Sequence, residues 1–268
     1  MYLVNRLLRH FDVVGMVIES PPAAATAEEK AARRRRMLER HGRLRTVNKL
    51  AYNWFRSRFL AGPDAATVRD ALFPQGAPIS YERAVDTVTV ENINAPACID
   101  FVTRHAPDVI AVCGTGVIKP AVFTLARLGA INIHTGITPD YRSADPIFWA
   151  IYCGEPDKVG VTIHHVDAGI DTGKIIRQSS VPIEARDSFA SIYARCVTRG
   201  AELYLDTLRD LANGTSATVD RSGVAGRAFY SIQLGIVQYA LCRLRFWRLR
   251  RRIAARNSAR SVPVERRS

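Results

Sequence analysis

Residues 108–134, DVIAVCGTGVIKPAVFTLARLGAINIH, decide the fold class of this chain. The apolar stretch Asp108–Cys113 predicts a buried strand, and Lys119–Leu128 predicts a helix that ends at Gly129. Ala130–His134 predicts the next strand. Because a strand, a helix and a strand follow one another closely, the stretch indicates a β-α-β unit with parallel strands.

The same alternation of strands and helices continues on both sides of this unit. The further predicted elements are a helix within Leu3–His10, strands over Asp12–Ile18 and Thr87–Val90, helices over Pro96–His105 and Pro146–Tyr152, strands over Gly160–Val166 and Lys174–Val181, and a helix over Asp187–Ala212. This order predicts an α/β fold of the Rossmann-like kind, in which helices cover both faces of a mostly parallel sheet.

The positive charge of the chain is concentrated in two segments. The 268 residues contain 38 Lys and Arg against 25 Asp and Glu, a net charge of +13. Residues 31–60 and 241–268 each carry +9, so the rest of the chain is mildly acidic. A nucleic-acid-binding protein usually carries basic charge on its folded body as well, so nucleic acid is not the expected partner. An apolar share of 47% excludes a wholly disordered chain.

The two basic segments mark the bounds of the predicted domains. Residues 1–213 are predicted to form a catalytic domain, interrupted over residues 20–80 by a basic, solvated helical insertion. Residues 214–268 are predicted to form a basic amphipathic extension that is helical over residues 228–256. Its helix is expected either to pack on the domain or a second copy of the chain, forming a homodimer, or to lie on an anionic membrane surface. Nucleic acid is a third alternative.

Cysteine usage and hydropathy indicate the compartment. The five cysteines contain no Cys-x-x-Cys pair, which argues against a disulfide framework and a structural zinc site and favours a reducing cytosol. The longest run without a charged residue, Ala228–Cys242, is too short to cross a bilayer as a helix. The expected location is therefore cytoplasmic, with membrane association through the basic helix as an addition.

Three residues at the expected edge of the sheet have side chains that can take part in catalysis. Asn132 and His134 lie two residues apart on one strand and therefore share a face. Asp171 lies in a loop between Gly169 and Gly173, which lets the backbone bend tightly. An imidazole and a carboxamide can stabilise an oxyanion and move a proton, and a carboxylate can orient the imidazole. The alternatives are a packing histidine and a turn-forming aspartate.

Two motifs containing these residues resemble the 10-formyltetrahydrofolate-dependent formyltransferase family, which includes methionyl-tRNA, glycinamide-ribonucleotide and nucleotide-sugar formyltransferases. The first motif runs from Gly129 through Asn132, His134, Pro139 and Tyr141-Arg142 to Ile147, and the second is Gly160–Gly173 with Asp167 and Asp171. The likeness covers residues 85–212. It implies the formyltransferase fold, here lacking the first strand that family members place before the strand at Asp12–Ile18.

The resemblance also implies the site and its co-substrate. Asn132, His134 and Asp171 match the catalytic trio of the family, and no metal is implied. Two loops are expected to bind the pterin of 10-formyltetrahydrofolate. The expected contacts are Gly116, Val117 and Ile118 in the first loop and Val166, Asp167 and Ala168 in the second. Tyr141, Arg142 and His164 are the expected contacts to the substrate.

The implied reaction transfers a formyl group from 10-formyltetrahydrofolate to a primary amine of a small acceptor. Glycinamide-ribonucleotide enzymes bind phosphate on a Gly-rich turn, and transfer-RNA enzymes carry a C-terminal barrel. Neither feature is visible in this sequence, so a nucleotide-linked amino sugar is the expected acceptor. The alternatives are hydrolysis of the same folate to formate, and a catalytically silent module that binds membrane or nucleic acid through its basic helices.

Overall fold

Strands and helices alternate in the computed structural model of the chain, which describes residues 1–20, 26–73, 79–221 and 223–260. In chain order the elements are α1 (Tyr2–His10), β1 (Met16–Glu19), α2 (Ala27–Phe55), α3 (Ala61–Leu72), β2 (Thr87–Val90), α4 (Pro96–His105), β3 (Ile110–Val112), α5 (Pro120–Phe123), β4 (Ala130–His134), β5 (Tyr141–Ser143), α6 (Pro146–Cys153), β6 (Gly160–His165), β7 (Ile175–Ser180), α7 (Phe189–Ala212), β8 (Arg227–Phe229) and α8 (Ile236–Arg260). The predicted α/β class is confirmed. The Ala- and Pro-rich start of the insertion and the last eight residues of the extension lie outside the described residues.

Four strands form the central sheet in the order β3-β4-β6-β7. β3 runs parallel to β4, whereas β6 is antiparallel to both β4 and β7. The predicted parallel arrangement therefore holds for the β-α-β unit but not for β6 and β7. Only a short loop joins these two strands, and a parallel crossover needs a dozen residues or more, so they form a hairpin.

Two further pairs of parallel strands flank the central sheet. β1 pairs with β2, and β5 pairs with β8. Within the described residues, no strand pairing joins β1 or β2 to the four-stranded sheet.

Tyr204 of α7 connects β3 to β4 with its side chain. Its buried hydroxyl accepts a hydrogen bond from the Val112 N–H at 2.8 Å and donates one to the Ile131 carbonyl at 2.7 Å. Burial raises the pKa of this phenol well above its ordinary value, so the hydroxyl keeps its proton. The helix thereby supplies a polar bridge inside an otherwise apolar interface.

Replacing Tyr204 by Phe is expected to lower the free energy of unfolding by about 1–3 kcal/mol, because the buried Val112 N–H and Ile131 carbonyl lose their partner. Chemical denaturation of the variant and the parent chain measures the difference. Tyr193→Phe is the matched control, since Tyr193 lies on the same helix with an exposed side chain. Equal losses in the two variants would show that the bridge contributes nothing.

The basic insertion forms α2 and α3, joined by a π-helical turn over Arg56–Leu60. The sequence predicts two helices here, near 27–41 and near 44–60, and α2 is indeed two helical halves that meet at a kink at Gly42, whose φ of 77° only glycine adopts easily. The first half of α2 is exposed, as predicted. Its second half is not wholly solvated, because the rings of Tyr52 and Phe55 pack on Tyr239 of α8.

The C-terminal segment packs on the rest of the chain. Its helix begins at Ile236 rather than near residue 228, and the residues before it form β8. Phe246 and Cys242 of α8 are fully buried in one cluster with α6 and α7 residues such as Trp149 and Ile192. No helix in the described ranges has the length and apolar character needed to span a membrane.

Candidate active site

Asn132 and His134 project from one face of β4 toward a single carboxylate. The Nδ2 atom of Asn132 lies 3.4 Å from Oδ1 of Asp171, and Nδ1 of His134 lies 3.5 Å from Oδ2. The His134 side chain is only 8% exposed. The structure therefore brings the three predicted catalytic residues together.

The loop between β6 and β7 delivers Asp171 to this face. Since β6 is antiparallel to β4, the loop starts beside the beginning of β4 and must fold back over the sheet. Gly173 permits this path: a Cβ atom there would lie 1.8 Å from the His165 carbonyl oxygen. Asp171 itself adopts a φ of 51°, and its Oδ2 accepts a hydrogen bond from the Ser143 N–H at 2.9 Å.

His164 is a fourth member of the cluster. It lies opposite Asn132 in the β4–β6 register, and its Nε2 is 3.4 Å from Oδ1 of Asp171 and 3.3 Å from Nδ2 of Asn132. Its side chain is 4% exposed, so it lies behind Asp171 rather than open to solvent. Its predicted contact with the substrate stays a prediction. The sequence did not show this partnership, because the register of two distant strands creates it.

Both ring nitrogens of His134 face oxygen atoms. Nε2 lies 2.9 Å from the Tyr141 carbonyl, and Nδ1 faces Asp171. Burial lowers the pKa of His134 below its ordinary value, while Asp171 and the Tyr141 carbonyl act in the opposite direction. The imidazole is thus uncharged near neutral pH, yet an oxygen acceptor lies beside each nitrogen when it gains a proton.

Asp171 is held in the charged form. Burial raises its pKa, but the hydrogen bond with His164, the charge of His134 and the Ser143 N–H outweigh burial and lower the pKa to about 2. The carboxylate is therefore ionised at every pH at which an amine acceptor can react.

Stability should depend on this carboxylate in a defined pH window. Because its pKa is lower in the folded chain than its ordinary 3.8, the charged form stabilises the fold by about 2 kcal/mol above that pH, and the contribution is lost as the pH falls to about 2. The measurement is the difference in unfolding free energy between the parent chain and Asp171→Asn across this range. A difference that does not change with pH would contradict the prediction.

Tyr141 is placed differently from the prediction. Its side chain is fully buried, its hydroxyl donates to Glu155, and its ring stacks on Phe229 with the Arg227 guanidinium 4.5 Å from the ring centre. A buried phenol does not line an open substrate site. Tyr141 instead reaches His134 through its main-chain carbonyl, and Glu155 and Arg227, which the sequence did not single out, hold it there.

The two loops predicted to hold the folate lie against one apolar cluster. Ile118 and Val166 pack in it together with Val112 and Ala130, so the loops are adjacent. Two hydrogen bonds hold the first loop in place. The Gly116 N–H donates to the Glu19 carboxylate, and the Asn94 amide donates to the Val117 carbonyl. In the second loop, Asp167 accepts from Gly169 N–H and the Thr172 hydroxyl, and Ala168 is exposed.

This surface combines an apolar floor with two exposed residues, Val117 and Ala168, a combination that suits a flat heterocycle rich in hydrogen-bonding groups. The described residues contain no cluster of His, Cys, Asp and Glu arranged to hold a metal ion.

A cavity of about 320 Å³ opens beside Asp171. Its lining consists of Thr138, Pro139, Arg142, Asp167, Asp171, Thr172, Gly173, Ile175, Arg221, Val224, Ala225 and Gly226. Asn132 and His134 lie against Asp171 but are not part of this lining, and the Asn132 side chain stays half-buried on its face of β4. Four of these residues, Arg221, Val224, Ala225 and Gly226, belong to the C-terminal segment (residues 214–268), which is predicted to lie outside the catalytic domain.

Comparison with known proteins identifies the family of the chain. A family model described as formyl transferase matches residues 71–208, just over half of the chain. A methionyl-tRNA formyltransferase from Chlorobium chlorochromatii is 32% identical over 169 residues, covering 63% of this chain and 51% of the relative. One from Koribacter versatilis is 43% identical over 118 residues, covering 44% of this chain and 38% of the relative. The chain thus spans about half the length of the curated relatives it matches.

Among solved structures, phosphoribosylglycinamide formyltransferase from Streptococcus pneumoniae aligns with a TM-score of 0.50 at 19% identity. The alignment covers 78% of this chain and 92% of that one. This likeness shows a shared fold.

Proposed function

Because the chain belongs to the formyl transferase family, we propose that it transfers a formyl group from 10-formyltetrahydrofolate to a primary amine. The observation that supports this most strongly is the convergence of Asn132, His134 and His164 on the Asp171 carboxylate at the wall of a cavity. The folate supplies the activated formyl carbon.

The side chains have separate roles in this proposal. The Asn132 amide donates a hydrogen bond to the formyl oxygen as negative charge develops there. His134, uncharged at rest, takes up the proton that the amine loses as its nitrogen bonds to the formyl carbon, and the resulting positive charge adds to the stabilisation of that oxygen. The bond between the formyl carbon and N10 of the folate then breaks, and the proton passes from His134 to N10, so that tetrahydrofolate leaves. Asp171 lies between His134 and the cavity, so it relays the proton and stabilises the charged imidazole. Hydrogen bonds of this kind tighten once substrates are bound.

We assign the acceptor to the nucleotide-linked amino sugars, as expected from the sequence. A cavity of about 320 Å³ has room for an amino sugar and leaves a nucleotide at its mouth. A second candidate is the aminoacyl end of methionyl-tRNA, because the curated relatives are methionyl-tRNA formyltransferases. Both candidates present an amine on a phosphate-bearing molecule.

Calorimetric titration with 10-formyltetrahydrofolate tests the folate site, with formate release measured in the same samples. We expect saturable binding by the parent chain and by His134→Ala, and no formate without an acceptor. Rapid formate release without an amine would instead support the hydrolase alternative. A well-folded chain that does not bind the folate would overturn the proposal. The remaining alternative would then be the catalytically silent module.

We also propose that α8 lies on an anionic membrane surface. One face of α8 is buried through Cys242 and Phe246. The opposite face exposes Val237, Leu241 and Leu244, at helical spacing, and Trp247 beside them, each between 44% and 54% exposed. The exposed Arg248, Arg251 and Arg252 continue this face. The sequence has no acidic residue between Gly223 and Arg260. Exposed apolar groups among arginines suit a phospholipid headgroup layer better than nucleic acid.

Flotation with vesicles tests this surface. The full chain should bind vesicles of phosphatidylcholine mixed with phosphatidylglycerol and not vesicles of phosphatidylcholine alone. Arg248→Gln/Arg252→Gln should weaken binding about twentyfold, whereas Arg104→Gln/Arg127→Gln, which removes two exposed arginines elsewhere, should change it little. Equal binding by the two pairs, or self-association that buries Trp247, would contradict the proposal.

A further inference from the structure

The cavity beside Asp171 contains polar atoms that the protein itself does not satisfy. Thr138 Oγ1 and Arg142 Nε are both buried, and neither has a hydrogen-bond partner among the described residues. Buried polar atoms are nearly always paired, so two such atoms at one place indicate a missing partner. Both residues also line the same cavity, so a molecule bound there can supply that partner once the two side chains turn toward it.

The charges around the cavity define the chemistry of that molecule. Arg142 comes from β5 and Arg221 from the C-terminal segment, and neither takes part in an ion pair among the described residues. The two carboxylates of the lining are already engaged. Asp171 binds His134, His164 and the Ser143 N–H, and Asp167 accepts from Gly169 and Thr172.

We infer that Thr138, Arg142 and Arg221 form a binding subsite for an oxyanion, namely a phosphate or diphosphate ester carried by the acceptor. Guanidinium groups bind such oxygens with paired, charge-assisted hydrogen bonds, and a hydroxyl adds a third donor. The inference rests on the proposed function, and it deepens that function. With its phosphate on the two arginines, the acceptor places its amine near Asp171, which lines the same cavity.

The subsite also assigns a role to the C-terminal segment. β8 pairs with β5 in register, and Gly226 lies so close to Pro139 that a Cβ atom there would be 2.0 Å from the Pro139 carbonyl oxygen. This packing brings Arg221 and Arg142 into the lining of one cavity. The residues after 213 therefore complete the acceptor site.

Calorimetry with inorganic pyrophosphate tests the subsite on the full chain. We expect saturable binding that weakens roughly tenfold or more in each of Arg142→Gln and Arg221→Gln, since each loses a charge-assisted contact. Arg209→Gln is the control, because Arg209 is exposed on α7 and pairs with Asp206. Binding equal to that of the parent in both cavity variants, or no binding by the parent, would overturn the inference.

The Thr138→Val variant distinguishes a loss of ligand binding from a loss of folding. Because the hydroxyl has no partner in the protein, this variant should unfold at the same temperature as the parent or higher, yet bind pyrophosphate more weakly. A lower unfolding temperature with unchanged binding would mean that the hydroxyl serves the fold and not a ligand.

The same variants separate this inference from the proposed function. Titration with 10-formyltetrahydrofolate should be unaffected by Arg142→Gln and Arg221→Gln. If these variants lost folate affinity and kept pyrophosphate affinity, the arginines would bind the folate carboxylates, and the acceptor assignment would be wrong. If pyrophosphate bound as expected but the parent did not bind folate, the proposed function would fail while the anion subsite stood.

Discussion

Asp171→Asn is expected to slow formyl transfer by about a thousandfold in a chain that remains folded. The amide keeps the size of the carboxylate but loses its charge, so a protonated His134 is no longer stabilised. The proton released by the amine then lacks its route to N10 of the leaving folate. Single-turnover rates with saturating 10-formyltetrahydrofolate measure the effect.

Asp140→Asn is the matched control for this substitution. Asp140 is another aspartate near the cavity, but it pairs with Lys158 and touches none of the cluster residues. The Asp140→Asn substitution should change the single-turnover rate by no more than about twofold to threefold. Comparable rates for Asp171→Asn and Asp140→Asn would show that the carboxylate takes no part in the reaction.

Gly173→Ala is expected to lower the rate at least a hundredfold and also to lower the unfolding temperature. An added Cβ would lie 1.8 Å from the His165 carbonyl oxygen, so the loop must move away from β6. Asp171, two residues earlier in that loop, moves with it, and a displacement of about 1 Å in a catalytic group costs about a hundredfold in rate. Rate measurements and thermal unfolding report the two effects.

Gly223→Ala provides the comparison for the glycine substitution. Gly223 lies in the segment along the other side of the cavity, and a Cβ there meets no atom within 4 Å. This variant should keep the activity and stability of the parent. A fully active Gly173→Ala variant would mean that the path of the loop does not position Asp171.

The parts of the fold that were predicted well depend on local sequence. The bounds of β2, α4 and β4 agree with the prediction, because each is framed by residues that start or end it, such as Pro96 at the start of α4 and Gly129 before β4. The cluster of Asn132, His134 and Asp171 was likewise accessible, since strand alternation and two flanking glycines are local signals.

The parts that were missed depend on contacts between distant segments. The antiparallel direction of β6 follows from its pairing with both β4 and β7. His164 joins the cluster only because of the β4–β6 register. Tyr141 is buried only because β8 pairs with β5. The sequence offers no periodicity for such pairings, so Arg221 and the role of the C-terminal segment in the cavity could not be predicted.

The most direct test of this account follows a labelled formyl group through one turnover. The full chain is mixed with 10-formyltetrahydrofolate labelled at the formyl carbon and either a uridine-diphosphate-linked amino sugar or methionyl-tRNA. We predict that the label appears as a formamide on the amine of the sugar, and that His134→Ala gives none. Label that stays on the folate, or leaves it only as formate, with both acceptors would contradict the account.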